Sequence, residues 1–209
     1  MSLRYALLAL LRVGSLTGYD LQKQFAVSVG HVWHAPDSQI YPELRKMEAD
    51  GLIEAEVIPW GTKGTKRRYH ATPTGGQAFL DWMNEPLAYS RVRDPAHLRA
   101  AYLESATPEA ARRFLHDHIT HHRDQLDQWE TELRAIDDLT NPMLLRRLAG
   151  IDPAEHRKTI VFKRFTYEGL IVQAENEIAW AHKGLRILDE FDRDPKMPPA
   201  RESDTDVDV

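Results

Sequence analysis

The sequence predicts a mainly α chain in two parts. Three helices, a β-hairpin and a fourth helix fill the first 88 residues, and long helices follow from about residue 95. Three observations predict this. Apolar residues recur three and four apart in several short stretches, the mark of one-sided helices. One basic, Gly-containing segment sits between two runs that read as strands. From residue 107 onward the apolar spacing becomes a sustained 4-3 repeat. Composition agrees with a globular chain, 42% hydrophobic and 28% charged, which excludes collagen-like and wholly disordered classes. No run of about 18 apolar residues predicts a membrane span. The opening MSLRYALLALLRVG lacks the basic lead-in and cleavage site of a signal peptide. Cys is absent, which removes thiolate catalysis, disulfides, Cys-ligated zinc and iron–sulfur clusters and suits the cytoplasm.

Leu3, Ala6, Leu7, Leu10 and Leu11 form the apolar face of a first helix, closed by Gly14. Thr17, with Asp20 three residues on, is a capping-box start for a second helix carrying Leu21 and Phe25 and running to about Val29. Residues 31–35 read as a connection. Ile40, Leu44 and Met47 are one buried stripe of a third helix that ends near Asp50, with Gly51 in the C′ position and Leu52 beyond it. Pro42 is accommodated if this helix starts near Ser38 or Gln39, capped by Asp37 or Ser38. Residues 52–58 and 66–72 read as two strands, joined by a long basic tip over 59–65. Thr72-Pro73 starts a fourth helix carrying Phe79, Leu80 and Met83.

The later part is built differently. Leu115, Ile119, His122, Leu126, Trp129, Leu133 and Ile136 keep a coiled-coil spacing, as do Tyr167, Ile171, Ala174, Ile178, Ala181, Leu185 and Leu188. Asn141-Pro142 separates the two, with a short helix over 143–149. The last helix, about 153–190, cannot cover its seam alone, so it needs the other long helix and a second subunit. Ile119, Leu126, Trp129, Tyr167, Ile171, Ile178 and Leu185 are therefore the expected dimerisation residues. The expected domains are 1–88, a helical dimerisation domain over 95–191, and an acidic tail over 192–209. The net charge of −5 resides wholly in residues 189–209, where three basic residues meet eight acidic ones. Such a polar segment cannot offset its ordering entropy, so disorder is expected there. The rest of the chain is neutral, and local basic patches decide its partners.

Helix, helix, helix, hairpin, helix is the order of a winged helix-turn-helix. In that arrangement the third helix enters the DNA major groove and the hairpin lies along the phosphates. Ser38, Gln39, Tyr41, Arg45 and Lys46 face away from the Ile40/Leu44/Met47 stripe. Gln and Arg can read base edges through paired hydrogen bonds, and hydroxyls at a helix start suit phosphate. The tip holds Lys63, Lys66, Arg67 and Arg68, with no acid between residues 57 and 80. That pattern neutralises phosphates and releases counterions. Tyr19, at the start of the second helix, suits either a phosphate or helix packing.

Seven short motifs in order carry a resemblance: Ala6-Leu7-Leu8, Thr17-Gly18-Tyr19-Asp20-Leu21, Trp33, Gln39-Ile40-Tyr41-Pro42-Glu43-Leu44, Glu48-Ala49-Asp50-Gly51-Leu52-Ile53, Arg68-Tyr69 and Thr72-Pro73-Thr74-Gly75. Over residues 3–83 the chain resembles the PadR family of transcriptional regulators. The C-terminal part is similar in architecture to the subgroup with an extended, virulence-activator-like helical domain. The resemblance implies a repressor that binds double-stranded DNA as a homodimer through its C-terminal helices, and a two-fold dimer predicts a pseudo-palindromic operator. The resemblance places groove contacts at Ser38, Gln39 and Tyr41 and the wing at Gly61 to Arg67.

Catalysis is not expected: no GxSxG, Walker or GxGxxG motif is present, and the carboxylates are spread as helix surface. No cofactor is expected. His118 and His122 stand four apart on one helical face, a metal-competent spacing, beside His116 and His121. No HExxH accompanies them and His122 falls on the seam, so no metal is expected either. Trp129, Trp180, Phe162, Phe165 and Tyr167 suit core packing, or a small aromatic effector held between the winged part and the dimer helices. The rival reading is a winged-helix protein-interaction module without DNA.

Overall fold

A computed structural model of the chain describes residues 2–25, 36–61, 64–89 and 93–193. The expected helix end near Val29, the connection 31–35 with Trp33, Lys63 and the tail beyond Arg193 lie outside those residues. The fold is the mainly α, winged arrangement with long C-terminal helices. It divides into two compact units, Met1–Ser90 with Leu139–Ile160, and Arg91–Asp138 with Val161–Val209. Among the described residues no helix is long and apolar enough to cross a membrane.

In the first unit, α1 (Ser2–Leu11) buries Leu7, Leu8, Leu10 and Leu11. A two-residue strand, β1 (Leu16–Thr17), leads into α2 (Gly18–Gln24). Thr17 caps α2 as its spacing predicts: its hydroxyl accepts from the Asp20 N–H at 3.2 Å, and the Asp20 carboxylate accepts from the Thr17 N–H at 3.4 Å. Helix α3 (Asp37–Ala49) buries Ile40, Leu44 and Met47 against Leu7, Leu8, Leu21 and Phe25. It ends in a Schellman motif. Gly51, at φ +70°, gives its N–H to Glu48, and Leu52 gives its N–H to Met47 at 2.9 Å. Strands β2 (Ile53–Trp60) and β3 (Gly64–Ala71) pair antiparallel from Ile53↔Ala71 to Trp60↔Gly64. Strand β1 joins β3 on the other side, giving the order β1-β3-β2. Helix α4 (Pro73–Asn84) is capped by Thr72, whose hydroxyl also donates to the Gly51 carbonyl at 2.7 Å.

Several expectations are corrected here. Helix α3 starts at Asp37 with Pro36 in the cap position, ahead of the Asp37 or Ser38 expected there. Pro42 therefore lies in the second turn and leaves the Ser38 carbonyl without its intrahelical donor. The wing tip is shorter than the 59–65 turn expected, because both strands run further. Pro59 sits in an edge strand, where a missing N–H is tolerated. On α4, Phe79 packs on the core but Leu80 and Met83 are exposed; Trp82 instead stacks on Tyr5 at 4.7 Å. Helix α7 (Pro142–Ala149) groups with the winged unit rather than with residues 95–191, since Met143 packs on the winged core and Arg146 donates to the Ser15 carbonyl at 3.3 Å.

The second unit holds α5 (Pro95–Ala100), α6 (Pro108–Asp137) and most of α8 (His156–Arg193). Leu115 and Ile119 of α6 pack with Ala181 of α8. A Cβ on Gly184 would stand 3.0 Å from both Leu115 methyls, so this glycine sets how closely the helices approach. Arg112 ties the helix ends together, donating to Asp189 at 2.6 Å. Part of the seam is thus covered within one chain. Ile119, Trp129 and Tyr167, expected at a dimer contact, are already buried, while Leu126, Ile171, Ile178 and Leu185 are half-buried. The large apolar groups that α8 leaves exposed are others, Val161, Phe162, Phe165 and Val172 among them.

Tyr167 is 1% exposed, and burial, reinforced by Glu132, pushes its phenol up to about 12. In the unfolded chain the phenol ionises near its ordinary value of about 10. The folded state therefore loses nothing below about pH 10, and then loses stability progressively up to about pH 12, by about 2 kcal/mol. Tyr167→Phe is expected to remove this loss. Urea unfolding at pH 8 and pH 11 checks it, since equal alkaline losses for both proteins contradict it.

Candidate nucleic-acid interface

Burial of the Ile40/Leu44/Met47 stripe turns the opposite side of α3 to solvent. Ser38, Tyr41, Pro42 and Arg45 follow one another at i, i+3, i+4 and i+7 there, with Gln39 and Lys46 beside them, and all six are exposed. Arg4 of α1 holds the helix from behind, donating to Glu43 at 2.9 Å and meeting Asp50 at 2.8 Å. Arg45 and Lys46 form no ion pair among the described residues. They are free to meet an external anion.

The start of α2 completes the surface. Tyr19 is 68% exposed. The Tyr41 ring lies over Gly18, where a Cβ would come within 2.6 Å of it. Only a glycine lets that ring settle against the helix start. Tyr19, Tyr41 and Arg45 then share a cleft of about 420 Å³ with Lys66 and Arg67 of β3. Its lining holds three cations and no carboxylate. Five of the nine residues expected to meet DNA converge on this cleft. Ser38, Gln39 and Lys46 stay outside it on the open face of α3, and Lys63 lies outside the described residues.

The two wing cations in the cleft, Lys66 and Arg67, are held differently. Arg67 pairs with Glu48 of α3, and its guanidinium lies 5.4 Å from the Tyr69 ring centre. The hydrogen bond to Glu48 raises its affinity for the proton further, so it stays charged. It acts first as a strut between wing and α3. Lys66 has no carboxylate partner among the described residues, and its Nζ lies 3.8 Å over the Trp60 ring. Trp60, 62% exposed, is a wing residue that the sequence reading passed over, because Pro59 made its segment look like a turn. Arg68 is taken up by Glu56, directly opposite it in the ladder, as the alternation across the hairpin allowed.

Comparison with known proteins gives matches along most of the chain. Residues 7–81 match the family model described as "Transcriptional regulator PadR-like family". Residues 92–189 match "Virulence activator alpha C-term". The negative transcriptional regulator PadR of Bacillus subtilis is 32% identical over 143 residues, 68% of this chain and 78% of that protein. The crystal structure of Bacillus subtilis PadR in complex with operator DNA is similar, with a TM-score of 0.70 and 26% identity, covering 90% of this chain and 99% of that one. The same protein in complex with p-coumaric acid matches with a TM-score of 0.66, again at 26% identity and 90% and 99% coverage.

Proposed function

The chain belongs to the PadR-like family of transcriptional regulators, and on that premise we propose that it is a homodimeric repressor that binds a pseudo-palindromic operator and releases it on binding a small aromatic effector. As a member of that family it is a regulator and not an enzyme. The observation that carries the DNA reading is the exposed face of α3 beside a cleft with three cations and no acid. In this reading Gln39 and Arg45 meet base edges in the major groove. Ser38, Tyr19 and Tyr41 meet the backbone, and Lys46, Lys66 and Lys63 neutralise phosphates. Arg67 positions the wing. The work is done where the chromosome lies, in the cytoplasm.

The dimer part rests on α8, whose exposed Val161, Phe162, Phe165 and Val172 are apolar groups that a second copy can cover. Two-fold pairing places two copies of α3 in major grooves one or more helical turns apart. The effector part is supported by a cavity of about 590 Å³ within the second unit, lined by Leu103, Leu115, Trp180 and Phe191, with Glu104 and Lys183 as its charged groups. An aromatic ring fits such walls, and an ammonium can meet a carboxylate. The relative crystallised with p-coumaric acid adds to this.

The test is the salt dependence of binding to duplex DNA. Lys63→Ala with Lys66→Ala should weaken operator and random duplex alike. The slope of log K against log salt should flatten by about 0.9 for each phosphate contact removed. An unchanged slope contradicts the wing assignment. A protein-interaction module without DNA affinity would show no retention of random duplex at low salt.

A further inference from the structure

The second unit brings together three potential metal ligands that lie far apart in the chain. His118 and His122 stand one turn apart on α6, their ring centres 4.4 Å from each other. Glu177 of α8 reaches the same point: the His118 Nε2 lies 3.1 Å from its Oε2. One ligand atom from each of the three falls within 4.8 Å of the others. Sequence spacing alone supplied two of these groups. The packing of α6 on α8 supplies the third.

We propose that His118, His122 and Glu177 form a binding site for one divalent transition-metal ion, zinc foremost. A hydrogen bond between His118 and Glu177 explains only part of the geometry. It leaves the His122 Nδ1 buried with no hydrogen-bond partner, which is costly for a polar nitrogen. An ion bound beside it would supply the partner that this nitrogen lacks.

The donor set selects the metal. Two imidazoles and one carboxylate suit zinc, cobalt, nickel or copper rather than magnesium or calcium, which prefer all-oxygen shells. Zinc bonds of about 2.0–2.1 Å put tetrahedral ligands about 3.4 Å apart. The three groups therefore close by about 1.4 Å at most, a movement within the reach of side-chain rotation. The fourth position stays open to water or to a small anion. The side chains of His118 and Glu177 are 11% and 22% exposed, so the ion would enter from solvent yet sit partly dry. Once bound, it would join α6 to α8 midway along their shared length.

Zinc titration of the untagged, full-length protein tests this, read by calorimetry and by the visible spectrum of the cobalt-substituted form. The expected result is one ion per chain and a tetrahedral cobalt spectrum. His122→Ala and Glu177→Gln should each lower zinc affinity by at least about tenfold, while His116→Ala leaves it unchanged. Glu177→Gln keeps the side-chain volume, so its loss of zinc cannot be a folding defect if its melting curve without metal matches the wild type. Stoichiometry well below one, or zinc binding equally strong in Glu177→Gln and wild type, overturns the proposal.

Discussion

Gly75→Ala should destabilise the winged unit by about 3 kcal/mol and lower DNA binding with it. A Cβ at this position would stand 2.0 Å from the carbonyl oxygen of Leu52 and 3.1 Å from a Leu8 methyl. The first contact is with backbone and cannot rotate away. Three connections meet there. The Thr72 hydroxyl accepts from the Gly75 N–H at 3.0 Å, the same hydroxyl donates to Gly51, and the Thr72 N–H reaches the Leu52 carbonyl at 3.1 Å. The end of α3, the start of the wing and the start of α4 are thus locked at one joint. Moving Leu52 tilts the wing away from α3 and opens the cleft between them. Gly76 is the internal control, because its Cβ would meet nothing within 4 Å. Gly76→Ala should be neutral, or stabilising by about 0.5–1 kcal/mol through helix propensity. Urea unfolding followed by tryptophan fluorescence compares the two. Equal midpoints would contradict the joint.

Gln39→Ala should erase much of the difference between operator and random duplex while leaving the protein folded. Gln39 is exposed on α3, between the buried Ile40 and the exposed Ser38, so its truncation leaves the core intact. A side-chain amide that bonds two atoms on the major-groove edge of one base contributes about 1–3 kcal/mol of discrimination. In a two-fold dimer the substitution acts twice, for about 2–6 kcal/mol in all. Arg45→Ala should reduce discrimination too, and should also flatten the salt slope, since a guanidinium contributes charge as well as base reading. Competition binding against random duplex at fixed salt measures both. A Gln39→Ala protein that still prefers its operator as wild type does would place base reading elsewhere.

Features decided by local chemistry were legible in the residues. The Thr17/Asp20 capping box, the Gly51 Schellman end and the Thr72-Pro73 start each occupy a few neighbouring positions, and the structure contains all three. The open face of α3 followed from the spacing of Ile40, Leu44 and Met47, which is a single-helix property. What escaped depended on distant partners. Two residues are too few to display the alternation of a strand, so β1 exists only because β3 is beside it. The eight residues of α7 are amphipathic enough to pack on either unit, and nothing local says that Met143 meets the winged core. The coiled-coil spacing foretold that α6 and α8 have apolar seams, but not which seam residues one chain buries by itself. In the site, the charge of the wing was visible, yet the Arg67–Glu48 strut and the Tyr41–Gly18 contact required the folded chain.

The absence of cysteine makes one direct measurement clean. Gln39→Cys gives the protein a single thiol on the outer face of α3. Operator duplex carrying a disulfide tether on a base, in the major groove of one half-site, offers it a partner; a second duplex carries the tether in the minor groove. The account predicts rapid crosslinking in the major groove alone, abolished by excess untethered operator. Crosslinking no faster than that of Arg113→Cys, whose side chain is exposed on α6 in the other unit, or confined to the minor-groove tether, would contradict it.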